Sequence, residues 1–180
     1  MSYKELKSYQ QATIIYDYTV EFCNRYMTYK SNRSYRTYDQ MVQAARSGKQ
    51  NIVEGSSERT SQKSELKLLG VARASFQELL EDYEDFLRQR NLPQWSKNHS
   101  AANEVRQLAY KSDKSYETYK PYLKNPESAA NAIICLIHQV NFLLDRQISS
   151  LEEKFIKEGG YTEKLFNKRI AYKTSKTYKS

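Results

Sequence analysis

The stretch ARSGKQNIVEGSSERTSQKSEL, residues 45–66, holds a Gly-Lys step, two glycines seven positions apart (Gly48 and Gly55) and a dense run of Ser, Thr, Arg and Lys. It reads either as a loop that cradles a phosphate or as the place where one helix ends and the next begins. A Walker loop needs G-x-x-x-x-G-K-[ST] between a strand and a helix, so that backbone amides surround the phosphates. Here Gly48-Lys49 is followed by Gln50, and no glycine stands five positions earlier. A GxGxxG fingerprint is absent as well. The spacing therefore favours a helix–turn–helix connection with a basic surface.

Working outward, Met41, Ala45, Gly48 and Ile52 recur at helical steps, with Asp39 as the expected N-cap and Gly55 as the expected left-handed glycine past the helix end. The small residues Ala44, Ala45, Ser47 and Gly48 allow a neighbouring helix to approach closely. Beyond the turn, with Thr60 or Ser61 as cap, Leu69, Ala72, Phe76, Leu79, Tyr83, Phe86 and Arg90 follow a seven-residue rhythm, which predicts a long amphipathic helix ending near Asn91, two residues before Pro93. Before the opening stretch, Ile15, Tyr18, Phe22, Tyr26 and Tyr29 form one stripe of a helix over about 9–29, and the polar residues around Asn32 and Ser34 read as its connection. After it, residues 92–125 carry two prolines, Trp95 and many Ser and Asn. Val105, Leu108 and Tyr119 suit a shorter helix there, whereas YKSDKSYETYKPYLK suits a surface excursion equally well. In NPESAAN, Asn125 is an N-cap, Pro126 sits at the first helical position, and Ile133, Ile137, Val140, Leu144, Ile148, Leu151 and Phe155 carry one face for about six turns. Gly159-Gly160 stops that helix, YTEKLFNKRIAYK reads as a short basic helix, and TSKTYKS as a frayed tail.

Only 5 Gly and 3 Pro punctuate 180 residues, and no segment alternates as a strand does. The fold class is all-α: an antiparallel four-helix bundle over 1–158, with an insertion at about 92–125 and a basic suffix helix and tail over 159–180. No apolar run approaches the length of a membrane span, and the N-terminus lacks the pattern of a secretory signal, so a cytoplasmic protein is expected.

Catalytic patterns are missing. Glu78, Glu81, Asp82, Glu84 and Asp85 lack the Glu-x-x-His partners of a carboxylate metal site and read as a solvated acidic face. His99 and His138 stand apart from each other and from Cys23 and Cys135, which read as buried thiols. His138, inside an apolar helix, reads as an interior or interface histidine. No Ser lies in a G-x-S-x-G elbow. No enzyme activity, metal or cofactor is expected.

The formal charge of +8 attracts polyanions. Arg33 and Arg36 alternate with tyrosines, which stack on unpaired bases. Arg46, Lys49, Arg59, Lys63, Lys67 and Arg73 straddle the opening stretch, and Lys164, Lys168, Arg169 and Lys173 belong to a C-terminal run with no acid after Lys164. These residues are the expected nucleic-acid contacts. The competing reading is a protein adaptor that uses its helix faces, with charge serving solubility and steering.

The segment DQMVQAARSGKQNIVEGSSERTSQKSELKLLGVARASFQELLEDYEDFL also resembles the four-helix-bundle proteins of the ribosomal-RNA intervening-sequence family. Their hallmark, Asn-Ile-x-Glu-Gly, stands here as Asn51, Ile52, Val53, Glu54 and Gly55. It is followed by a Ser-rich turn and a helix of the type LLGVARASFQEL. The accessory variability determinant of diversity-generating retroelements, a partner of a reverse transcriptase, is a similar bundle. LIHQVNFLLDRQISSLEEKFIKEGGYTEKLFNKR is similar to a branch with a C-terminal suffix. The resemblance implies a homo-oligomeric ring, typically a pentamer, with nucleic acid (RNA favoured) or a nucleic-acid enzyme as partner, and no catalysis. Asn51 and Glu54 are expected to satisfy backbone groups at a helix end.

Overall fold

A computed structural model describes residues 2–27, 32–57 and 61–177. Every regular element among them is helical: α1 (Lys7–Tyr26), α2 (Asn32–Gly55), α3 (Gln62–Gln89), α4 (Ser100–Leu108), α5 (Tyr116–Tyr119), α6 (Pro126–Glu158) and α7 (Tyr161–Thr177), with short 3₁₀ turns at Tyr3–Glu5 and Lys120–Lys124.

Side-chain pairs between helices give the topology. Ser8 bonds Gln147, Gln11 bonds Gln139 and Tyr18 bonds the Ala129 carbonyl, so α1 and α6 run antiparallel. Ser47 meets Ser75, while Gly55 lies against Leu68, so α2 and α3 do too. Tyr83 donates to Thr19 at 3.1 Å, and Phe22 packs on both Tyr83 and Phe86 with ring centroids 4.8 Å apart. That aromatic layer joins the parallel pair α1 and α3 across the middle. The result is the antiparallel four-helix bundle that the stripes predict: Ile15, Tyr18, Phe22, Met41, Ala45, Ile52, Leu69, Phe76, Leu79, Tyr83, Ile133, Ile137, Val140 and Leu144 are all buried.

Several local expectations are corrected. α2 begins at Asn32, seven residues before the expected cap, so Asn32 and Ser34 belong to the helix rather than to its connection, and Asp39 lies within it. Tyr38 packs against the core and its hydroxyl donates to Asn24 of α1 at 2.9 Å, contacts between helices that give no periodic signal in the sequence. Gly55 is the last residue of α2 and has no left-handed backbone; positive φ among glycines occurs at Gly159. A Cβ at Gly55 would stand 3.4 Å from Leu68 Cβ, an ordinary packing contact, so clearance from α3 does not require glycine there. Gly48 is the tighter case: a Cβ would lie 2.6 Å from the buried Phe76 ring. Ser61 caps α3, its hydroxyl accepting from the Ser64 amide at 3.2 Å; Thr60 lies outside the described residues. α1 ends at Tyr26, and Tyr29 also lies outside them.

The insertion folds onto the bundle. Asn131 of α6 accepts from the Trp95 amide at 2.7 Å and donates to the Pro93 carbonyl at 2.9 Å, fixing the segment's entry. Tyr119 and Leu123 are buried, and the Tyr26 hydroxyl donates to the Leu123 carbonyl. The surface-excursion reading therefore fails for 116–124, and Val105 and Tyr119 belong to two different helices. Asn125 caps α6 by accepting from Ser128, with Pro126 behind it, as expected. Gly159 (φ 69°) ends α6, and α7 continues to Thr177, through part of the segment expected to fray. One window within Pro126–Thr174 meets the length and composition of a membrane-crossing helix, against the sequence expectation; 61% of it is buried within the protein.

Candidate nucleic-acid interface

At 100° per residue, the outward stripe of α3 runs through Lys63, Lys67, Gly70, Ala74, Glu78, Glu81 and Asp85. All are exposed. This face is basic over its first two turns, neutral in the middle and acidic over its second half. Lys63 and Lys67 lie one turn apart and form no ion pair among the described residues. The C-terminal turns of α6 come to the same end of the bundle, where Lys154 opposes the rise that burial imposes on the Glu65 carboxyl pKa. From that end α7 departs, with Lys164, Lys168, Arg169 and Lys173 all exposed.

The remaining basic residues do not join one patch. Arg73 turns toward α6, where its guanidinium donates to Asp145 at 3.1 Å and to Gln77 at 3.2 Å. Lys49 points toward α1, with its ammonium 4.4 Å from the centroid of the Tyr16 ring. It also lowers the pKa of Asp17, which burial otherwise raises. Both are occupied within the protein. Arg36 and Arg46 are exposed on α2. Lys164 pairs with Glu158 at 3.1 Å. The side chain of Arg33 and all of Arg59 lie outside the described residues.

The Asn-Ile-x-Glu-Gly segment is built into the α2–α3 seam. Asn51 donates to the Ser47 carbonyl at 2.9 Å and to its hydroxyl at 3.2 Å, and Ser47 shares a 3.0 Å hydrogen bond with Ser75. Ile52 is fully buried, and Glu54 is exposed. Outside this seam lies a groove of about 550 Å³ between α2 and α3, lined by Gln40, Gln43, Ala44, Ser47, Ser75, Glu78, Glu81 and Asp82. Partial burial, with Asp85 and Glu78 adding repulsion, pushes the Asp82 pKa from 3.8 to about 6. Sequence reasoning grouped these acids but missed the groove, because its α2 wall depends on how two helices are paired.

Cys23 is buried, and burial pushes its thiol up to about 12; Cys135, half-buried, is raised for the same reason. His138 is exposed on α6, which corrects the interior reading, and His99 stacks on Trp95 with centroids 5.1 Å apart. Among the described residues no group of three or more His, Cys, Asp or Glu is placed to hold a metal ion. Comparisons with protein-family models, curated proteins and solved structures return no match to this chain.

Proposed function

We propose that this chain is a non-enzymatic, self-assembling bundle that binds nucleic acid, above all structured RNA, through the basic end where α3 begins and α7 departs. The observation that carries the reading is the exposed Lys63–Lys67 pair on the first two turns of α3, which forms no ion pair among the described residues. Lys168, exposed on α7, extends the basic surface. Lysines in this arrangement neutralise backbone phosphates and release counterions, so binding depends steeply on salt. The resemblance to the ribosomal-RNA intervening-sequence family supports the same reading and extends it to a ring, typically of five copies.

The test is a fluorescence-anisotropy titration of nuclease-treated protein with a structured RNA and a matched duplex DNA across a salt series. Binding should persist at physiological salt and favour RNA. Lys63→Ala with Lys67→Ala should weaken it and reduce the salt slope by about two, because each lysine neutralises one phosphate. Arg73→Ala should leave the slope unchanged, because Asp145 already neutralises that guanidinium. An unchanged slope in the double-lysine variant would remove those residues from the interface.

A protein adaptor is the second reading, favoured by the exposed apolar side chains Leu165, Phe166 and Ile170 on α7. A pulldown under nuclease treatment that returns one specific protein would support it.

A further inference from the structure

α7 has 17 residues, and none of its described side chains is buried. An isolated helix of this length is marginal in water, so its order depends on a packing surface. Phe166 is 62% and Ile170 48% exposed. At 100° per residue Phe166, Arg169, Ile170 and Lys173 share one side, at spacing i, i+3, i+4 and i+7, while Lys164 and Lys168 lie on the opposite side. The first set is an apolar pair flanked by two cations.

The α2–α3 groove carries the complement. Its floor is small (Ala44, Ser47 and Ser75), which admits an aromatic ring between the helices. Its α3 wall presents Glu78, Glu81 and Asp82 at spacing i, i+3 and i+4. Neither Glu78 nor Glu81 forms an ion pair among the described residues. Glu78 stands 16 residues beyond the start of α3, roughly 24 Å from the bundle end where α7 departs. The exposure of every described α7 side chain shows that the helix is not seated in its own groove.

We propose that the Phe166–Arg169–Ile170–Lys173 face of α7 from one copy docks in the acidic α2–α3 groove of a second copy. Phe166 enters between Ala44 and Ser75, and Arg169 and Lys173 pair with Glu78 and Glu81. Such an interface joins two different surfaces, so repetition generates either a closed ring or a filament. It leaves Lys168 on the outer side, available to phosphate, whereas Lys164 stays paired with Glu158. The inference rests on the self-assembly part of the proposed function and is independent of nucleic-acid binding.

The test is a charge swap on the full chain, nuclease-treated, read by size-exclusion chromatography with light scattering at micromolar concentration. Glu78→Lys with Glu81→Lys gives a basic groove, and Arg169→Glu with Lys173→Glu gives an acidic helix. The unaltered protein should be oligomeric and each variant monomeric, and an equimolar mixture should recover assembled mass, because each variant's groove then matches the other's helix. Oligomeric variants would overturn the docking and leave self-assembly standing, as would monomeric variants that fail to recover on mixing. A monomeric unaltered protein would overturn both. If circular dichroism shows a charge-reversed variant to have lost helix, Glu78→Gln with Glu81→Gln and Arg169→Gln with Lys173→Gln replace them. Each should then raise the dissociation constant of assembly about tenfold or more, and an unchanged constant would overturn the docking.

Discussion

The α2–α3 seam makes a signed prediction from two glycines. Gly48 and Gly70 both sit inside helices, where replacing glycine by alanine gains about 1 kcal/mol from backbone entropy alone. At Gly70 a Cβ meets nothing within 4 Å, so Gly70→Ala should stabilise by about 0.5–1 kcal/mol. At Gly48 the same Cβ stands 2.6 Å from two atoms of the Phe76 ring, well inside van der Waals distance. Phe76 is fully buried, so its ring cannot swing into solvent; the ring or the helix must move by about 1 Å within a packed core. Overpacking of this kind costs about 1–3 kcal/mol. The larger part of that range applies where the neighbour is locked, and after the entropy gain Gly48→Ala should destabilise by about 1–2 kcal/mol. Urea unfolding followed by far-ultraviolet circular dichroism measures both at equal m-value. In thermal unfolding each kcal/mol corresponds to about 2–4 °C for a chain of this size. Opposite signs are required. If Gly48→Ala proves as stable as the parent, α2 and α3 do not approach as closely as the Gly48–Phe76 distance demands.

Three further outcomes are expected. Asn131→Ala removes the acceptor of the part-buried Trp95 amide and the donor to the carbonyl of exposed Pro93, two hydrogen bonds that water can partly replace, at a cost of about 1–2 kcal/mol. The emission of the single tryptophan should shift to the red before the helices melt, and coincident transitions would count against a separate clamp. The folded Asp82 carboxyl binds protons more tightly than the unfolded one, so stability is highest below about pH 4 as far as this group is concerned and falls as pH rises toward and past about 6. Asp82→Asn should flatten that fall and add about 1 kcal/mol at pH 7, the full shift being discounted for solvent around a half-exposed group. A pH–stability profile in dilute protein, parallel to the parent's, would refute the assignment to Asp82. Finally, Cys23, with a thiol pKa near 12 and no exposure, should resist a thiol-directed reagent at pH 8 in the folded protein and react as fast as a model thiol in denaturant. Rapid modification of Cys23 without unfolding would show that α1 opens locally.

The heptad-spaced residues of α3, the Asn125–Pro126 start of α6 and the Gly159 stop were legible in the sequence, because periodicity, capping and left-handed backbone are local properties of a helix. So was the absence of a Walker loop, which local spacing alone decides. The first turns of α2 were not legible: Tyr38 packs on the core and bonds Asn24 of α1, contacts between helices that no local period reveals. The candidate site was legible in part. Lys63 and Lys67 share a face by helical spacing alone, whereas their neighbours Arg73 and Lys49 are drawn away by Asp145 and Tyr16, partners 72 and 33 positions distant in the chain. Gly48 was recognisable as small, but only the facing Phe76 says why. The sequence by itself therefore determined the helices, their apolar faces and the charge carried by each segment. Only the tertiary structure decided which cations remain exposed, that the insertion is clamped through Asn131, and that α2 and α3 enclose an acidic groove. Those outcomes depend on which helices become neighbours and at what register, a choice made by core packing between residues far apart in the chain.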